Sequence, residues 1–75
     1  MKKHNRDQEF IDKVRMRIVE IRKEKGVTQE LLSERTGFDL RQIGRIERGE
    51  TNATLSTIAA LASALEVHPK EFFEF

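Results

Sequence analysis

The chain contains no cysteine, so disulfides and thiolate chemistry are excluded. His4 and His68 are then the only soft metal ligands, and their distance in sequence argues against a metal site or a cofactor held by one. Only one proline, Pro69, is present. No strand-like alternation appears, while apolar residues recur at helical spacing throughout, which predicts an all-α chain. No apolar run approaches the roughly 18 residues of a membrane span. The start, Lys2, Lys3, His4, Asn5, Arg6, Asp7, Gln8, offers no apolar stretch that would serve as a secretion signal, so the expected location is cytoplasmic with no membrane partner. There is no phosphate-cradling glycine loop, and neither histidine has an acidic partner at a telling spacing. Catalysis needs convergent groups in a pocket; an enzyme is not expected, and the carboxylates read as helix-surface charges.

Seventy-five residues allow one domain with a marginal core, which a dimer would help to stabilise. With 36% charged and 37% hydrophobic residues, the composition is that of a soluble globular protein. Charge is split along the chain. Residues 1–26 carry nine Lys or Arg against five Asp or Glu, whereas residues 49–75 carry one against four. A basic patch is a footprint of nucleic-acid binding, and a solvated helix surface accounts for the same split.

Phe10, Ile11, Val14, Ile18 and Ile21 fall within an arc of about 100° on a helical wheel. Asp7 is placed to cap this segment and Gly26 to stop it, predicting a first helix over 8–25. Thr28 caps a short second helix that Gly37 ends. Asp39, with Gln42 three residues on in a variant of the capping box, starts a third helix of about ten residues that Gly49 closes. Thr54 caps a fourth, in which Leu55, Ile58, Leu61, Ala62 and Leu65 share one face. Pro69 suits the first position of a final turn. Residues 1–7 read as an N-terminal tail and 8–75 as the domain; Lys2, Lys3, His4 and Arg6 suit either a disordered tail or an arm along a nucleic-acid backbone.

The stretch "TGFDLRQIGRIERGE" concentrates three arginines in a chain of net charge +1. With Ile43 at 0°, Arg48, Arg41 and Arg45 fall at about 140°, 160° and 200°, opposite the apolar side of the third helix. Like charges crowding one face repel by a few tenths of a kcal/mol per pair, so the arrangement calls for an anionic partner or is simply solvated. Gly44 stands at the edge of this face. A mid-helix glycine costs about 1 kcal/mol relative to alanine, which suits a closely approaching partner or a neutral surface position.

A short capped helix, a turn opening with glycine and a second helix with outward donors form a helix-turn-helix pattern. Residues 14–73 resemble the helix-turn-helix domain of the Cro and phage-repressor (XRE) family, above all in "IRKEKGVTQELLSERTGF" and "IGRIERGETN". The length and the run "ERGETNATLSTIAALASALEV" are also similar to the small dimeric controller proteins of restriction-modification systems. The resemblance implies a compact five-helix, lambda-repressor-like DNA-binding domain. It implies base reading by Leu40, Arg41, Gln42, Gly44 and Arg45: arginine suits guanine O6 and N7, glutamine suits adenine, and leucine a thymine methyl. Gln42 equally suits closing the Asp39 cap. The DNA backbone would be met by Thr28, Gln29, Arg48 and Asn52. Glu50 and Ala53 depart from the basic residue and the proline frequent in relatives, which implies weaker, less salt-dependent binding. Arg22 and Glu47 match a structural ion pair joining the first helix to the end of the third. His68 stands where a serine or aspartate cap is common and reads as an imperfect cap. Val67, Phe73 and Phe75 are the dimer candidates, since exposed apolar patches on so small a domain usually mark an interface; folding back on the core is the alternative.

The function expected is that of a homodimeric, sequence-specific regulator of transcription. It would bind double-stranded DNA at a near-palindromic operator, with no small-molecule ligand. A protein-interaction role, as an antitoxin partner or a coactivator, is the alternative.

Overall fold

The computed structural model describes residues 6–75. Within them four α-helices follow one another, α1 (Gln8–Glu24), α2 (Gln29–Thr36), α3 (Leu40–Glu47) and α4 (Leu55–Ala64), and the chain closes with a 3-10 helix, Pro69–Phe73. The final segment is thus a five-residue 3-10 turn rather than a fifth α-helix. Too short to gain from α-helical cooperativity, it holds its place by burying Phe72. Arg17 also reaches across to it, donating from Nε to the carbonyl of Glu71 at 3.1 Å.

Each helix starts where a side chain supplies an acceptor for an otherwise unpaired N–H. Asp7 accepts from the Phe10 N–H, Thr28 from Leu31, Asp39 from Arg41 and Thr54 from Thr57. His68 Nδ1 accepts from the Lys70 N–H at 3.1 Å and so acts as the cap expected of it. The capping box at Asp39 is not closed: the Gln42 side chain makes no return bond, so α3 begins on the aspartate alone.

Helices α1, α3 and α4 end alike, with the third residue past the helix bonding back five residues: Val27 to Arg22, Glu50 to Arg45 and Val67 to Ala62. This closure needs one left-handed residue. In α1 and α3 it is glycine; in α4 it is Glu66, with φ of 58°.

Between α2 and α3 the turn is only Gly37, Phe38 and Asp39. Two hydroxyls of α2 hold it. Ser33 donates to the Phe38 carbonyl, and Thr36 Oγ1 accepts from the Phe38 N–H at 3.1 Å while donating to the Leu32 carbonyl. The angle between the two helices is therefore fixed by side chains of α2 itself.

Ile18, Leu32, Ile43, Leu61, Leu65 and Phe72 are fully buried, one or more from every element. Helix α2 packs on α3 and α4, and α1 on α3 and the 3-10 helix. Two residues of the expected apolar faces depart from this core: Phe10 is 48% exposed and Leu55 86%. Both lie in the first turn of their helices, at the margin of the core, where Phe10 meets the exposed rings of Phe73 and Phe75. Periodicity assigns a face but not how far along the axis that face is covered.

Candidate nucleic-acid interface

Helix α3 turns Ile43 and Ile46 into the core and leaves Leu40, Arg41 and Arg45 on the outside. What separates its arginines from the rest is their lack of commitments. Six of the eight arginines in the chain donate to protein acceptors: Arg6, Arg15, Arg17, Arg22, Arg35 and Arg48. Among the described residues, the guanidinium groups of Arg41 and Arg45 have no hydrogen bond or ion pair. They stand one turn apart on one exposed face. Gln42 beside them is half-buried and its amide is likewise unpaired among the described residues. Leu40 completes the face at 42% exposed.

Arg48 is held differently. Its guanidinium meets the Glu50 carboxylate, Nε to Oε2 at 2.7 Å and Nη2 to Oε1 at 3.4 Å. That bond keeps the Glu50 carboxyl below its ordinary value and raises the arginine further. In this pose the guanidinium lies back over Gly44, where a Cβ would stand 2.9 Å from Nη1. Gly44 is therefore buried beneath Arg48. The glycine has an intramolecular reason: an arginine four residues on occupies the space a side chain would take. Direct approach of a base to Gly44 would require Arg48 to swing away.

Arg22 and Glu47 lie buried between α1 and α3. Arg22 Nε donates to Glu47 Oε2 at 2.6 Å and Nη2 to Oε1 at 3.0 Å, while Nη1 donates to the Val27 carbonyl at 2.9 Å. Gln29, expected at a DNA phosphate, is bound here too, its Nε2 donating to Glu47 Oε1 at 2.8 Å. Its side chain joins the start of α2 to the end of α3, so any phosphate contact falls to the second N–H of that amide or to the N–H groups of the first turn. Thr28 is exposed and caps that turn. Asn52 is exposed in the bend after α3.

A second cluster lies where the start of α1 meets the C-terminus. The Phe10 ring stacks on Phe73 at 6.1 Å and meets Phe75 edge-on at 5.7 Å, and Lys13 sits 5.6 Å above the Phe75 ring. Beside these rings runs an apolar groove of about 150 Å³, lined among others by Ile11, Ala53, Leu55 and Ile58. Val67, expected with the phenylalanines, packs instead against the core, because the bond that closes α4 turns it inward.

The family model of the helix-turn-helix (HTH_3) matches residues 18–72, spanning α2, the tight turn and α3 together with the helices that support them. The chain belongs to that family, of the XRE type. A relative of this helix-turn-helix protein, the HTH-type transcriptional regulator y4dJ of Sinorhizobium fredii, is 45% identical over 47 residues. That match covers 63% of this chain and 61% of y4dJ, so the chain matches about three-fifths of that relative's length. Among solved structures, the restriction-modification controller protein C.AhdI of Aeromonas hydrophila superposes with a TM-score of 0.81 at 40% identity, over 84% of this chain and 96% of that one. The controller protein C.Esp1396I, solved as a tetramer in complex with its natural 35 base-pair operator, gives 0.80 at 38% identity over 87% and 86%. No helix of the described residues of this helix-turn-helix protein is long and apolar enough to cross a membrane.

Three donors that converge on the end of α3 carry no local signature in the sequence. Arg6 donates to the carbonyls of Gly49 and Glu50, Gln8 to that of Gly49 and Arg15 to that of Glu47. Only Gly49 carried a signal, read there as a helix stop. Its φ is 76°, and a Cβ would also come within 2.6 Å of Asp12 Oδ1.

Proposed function

We propose that this protein is a sequence-specific, double-stranded DNA-binding regulator of transcription in which a homodimer places α3 of each copy in the major groove of a near-palindromic operator. The observation that carries this reading is the pair Arg41 and Arg45, exposed and unpaired among the described residues while the other six arginines hold protein groups. Arginine presents a rigid fork of donors that matches guanine O6 and N7. Leaving two such forks unpartnered on one helical face is mildly unfavourable by charge repulsion and favourable once an anionic polymer faces them.

Gln42 and Leu40 stand at either side as further base-edge candidates. Thr28 and the first N–H groups of α2, with Gln29 behind them, would position a phosphate at the positive end of that helix. Arg48 would reach a second phosphate by leaving Glu50, and Asn52 would meet the backbone from the bend. The relation to a controller solved on its operator supports the assignment. A two-fold pair of recognition helices spans about 34 Å, one turn of B-DNA.

The dimer face in this reading is the exposed cluster of Phe10, Phe73 and Phe75 with the neighbouring groove and Leu55. Leu55 projects from the same face that carries the groove. Two-fold contacts place the same patch on both sides, so each copy can offer this side chain to the groove of the other.

Selection on a random double-stranded DNA pool at about 0.15 M salt, where weak backbone attraction is largely screened, tests the proposal. The expected result is enrichment of inverted half-sites with centres about 10 base pairs apart. A pool with no enriched motif overturns it and directs attention to a protein partner for the phenylalanine face.

A further inference from the structure

The end of α3 is gripped from α1, and the grip is built from specific donors. The last carbonyls of any helix lack intrahelical partners and carry its negative end. Here the Glu47 carbonyl in the last turn, and those of Gly49 and Glu50 in the turn that follows it, receive side chains from the segment 6–15. Arg6 Nη2 donates to the Gly49 carbonyl at 2.6 Å and Nη1 to that of Glu50 at 3.2 Å. Gln8 Nε2 donates to the Gly49 carbonyl as well, at 3.0 Å, and Arg15 Nη1 to that of Glu47 at 3.3 Å.

The donors are themselves held. Arg6 Nε donates to Gln8 Oε1 at 2.7 Å. Gln8 Nε2 and Arg15 Nε both meet Asp12 Oδ1, at 3.0 and 3.2 Å, and these bonds keep the Asp12 carboxyl below its ordinary value, the Gln8 bond most of all. Gly49 makes the approach possible, because a side chain there would collide with Asp12 Oδ1 and crowd Arg15 and Gln8.

We propose that Arg6 is a positioning residue for the reading helix: its forked guanidinium ties the carbonyls of Gly49 and Glu50 to the first turn of α1 and so sets the pose in which Arg41 and Arg45 are presented. The inference rests on the DNA-binding reading above. It replaces a role for Arg6 in an arm along the phosphates, since each of its three guanidinium nitrogens already donates to the protein. A fork is required, as two successive carbonyls are held at once; a lysine ammonium has the charge without that geometry.

Wild type, Arg6→Ala and Arg6→Lys are compared in two measurements. The first is affinity for the operator selected by the wild type and for a scrambled duplex of equal length, over a salt series. The second is amide hydrogen exchange of the free protein. With Arg6→Ala, operator affinity is expected to fall about tenfold while the scrambled duplex changes by less than about twofold and the salt slope is unchanged. The Glu50 amide, which bonds to Arg45, loses protection although α1 and α4 keep theirs, and Arg6→Lys restores only part of both effects. Equal loss on both duplexes with a salt slope smaller by about 1 per copy identifies a phosphate contact and overturns the proposal. Unchanged exchange at Glu50 overturns it as well. If the wild type itself prefers no duplex, the DNA-binding reading fails, and the exchange result still decides separately whether the clamp exists.

Discussion

Replacing Glu47 by alanine removes the one carboxylate that three donors share. Glu47 is 7% exposed and accepts from Arg22 twice and from Gln29 once. Without it the Arg22 guanidinium stays buried with only the Val27 carbonyl as an acceptor. Breaking a buried ion pair by deleting one partner costs about 3–5 kcal/mol, most of it the charge left behind. A chain of this length has a total stability of roughly 4–11 kcal/mol, so the variant loses about a quarter or more of it. At about 4 °C or more per kcal/mol for a domain of this size, the thermal midpoint should fall by at least about 12 °C, read by circular dichroism at fixed protein concentration. The paired change Arg22→Met with Glu47→Leu removes both charges and should recover at least half of that loss, because the penalty lies in the orphaned charge. A Glu47→Ala midpoint within about 4 °C of wild type, or a double variant no better than the single one, would refute this account of how α1 holds α3. DNA binding by Glu47→Ala should disappear along its melting curve, since the carboxylate positions the helix and touches no base.

Glu66→Gly relieves a left-handed backbone at the end of α4 and should raise stability by about 1 kcal/mol in urea titrations; a loss would mean that the Glu66 side chain contributes more than its backbone strain removes. Gly49→Ala meets both a positive φ and the Asp12 carboxylate, and should lower stability by about 2 kcal/mol or more; an unchanged midpoint would deny the close approach. Gly44→Ala should stabilise α3 by up to about 1 kcal/mol while displacing the Arg48 guanidinium, seen as a changed Arg48 side-chain NMR signal; an undisturbed signal would contradict the packing of Arg48 on Gly44. Asp12 and Glu50 both titrate below ordinary carboxylates in the folded protein. Their contribution is present above the unfolded-state values near about pH 4 and is lost as pH falls through the folded ones. Asp12→Asn with Glu50→Gln should therefore flatten the urea midpoint between about pH 5 and pH 3, and a profile as steep as that of the wild type would refute it.

The helix starts were legible because each is written in a local side chain, Asp7, Thr28, Asp39 or Thr54, that must satisfy an N–H within three residues. The pair Arg22 and Glu47 came from family resemblance, and the outward arginines of α3 from periodicity. What stayed hidden depends on distance across the fold. Nothing local distinguishes Arg6 or Arg15, whose acceptors lie in residues 47–50, from any solvated arginine. Gln29 was read at a phosphate because its family position pointed there, and its bond to Glu47 exists only once α2 and α3 are docked. Phe10 and Leu55 were assigned to the core on their angle around the helix, whereas exposure is decided by where the opposing layer ends. Glu66 was missed because a left-handed closure is ordinarily announced by glycine.

The most direct test of the central claim measures wild type, Arg41→Ala and Arg45→Ala against the selected operator and every single base-pair variant of one half-site. If these arginines read base edges, each alanine variant loses about 1–3 kcal/mol on the intact operator and becomes indifferent to substitution at one position, keeping its preferences elsewhere. If both instead lose the same affinity on every sequence and keep the full wild-type preference profile, the unpaired arginines of α3 contact only phosphates, and the account of what α3 reads is wrong.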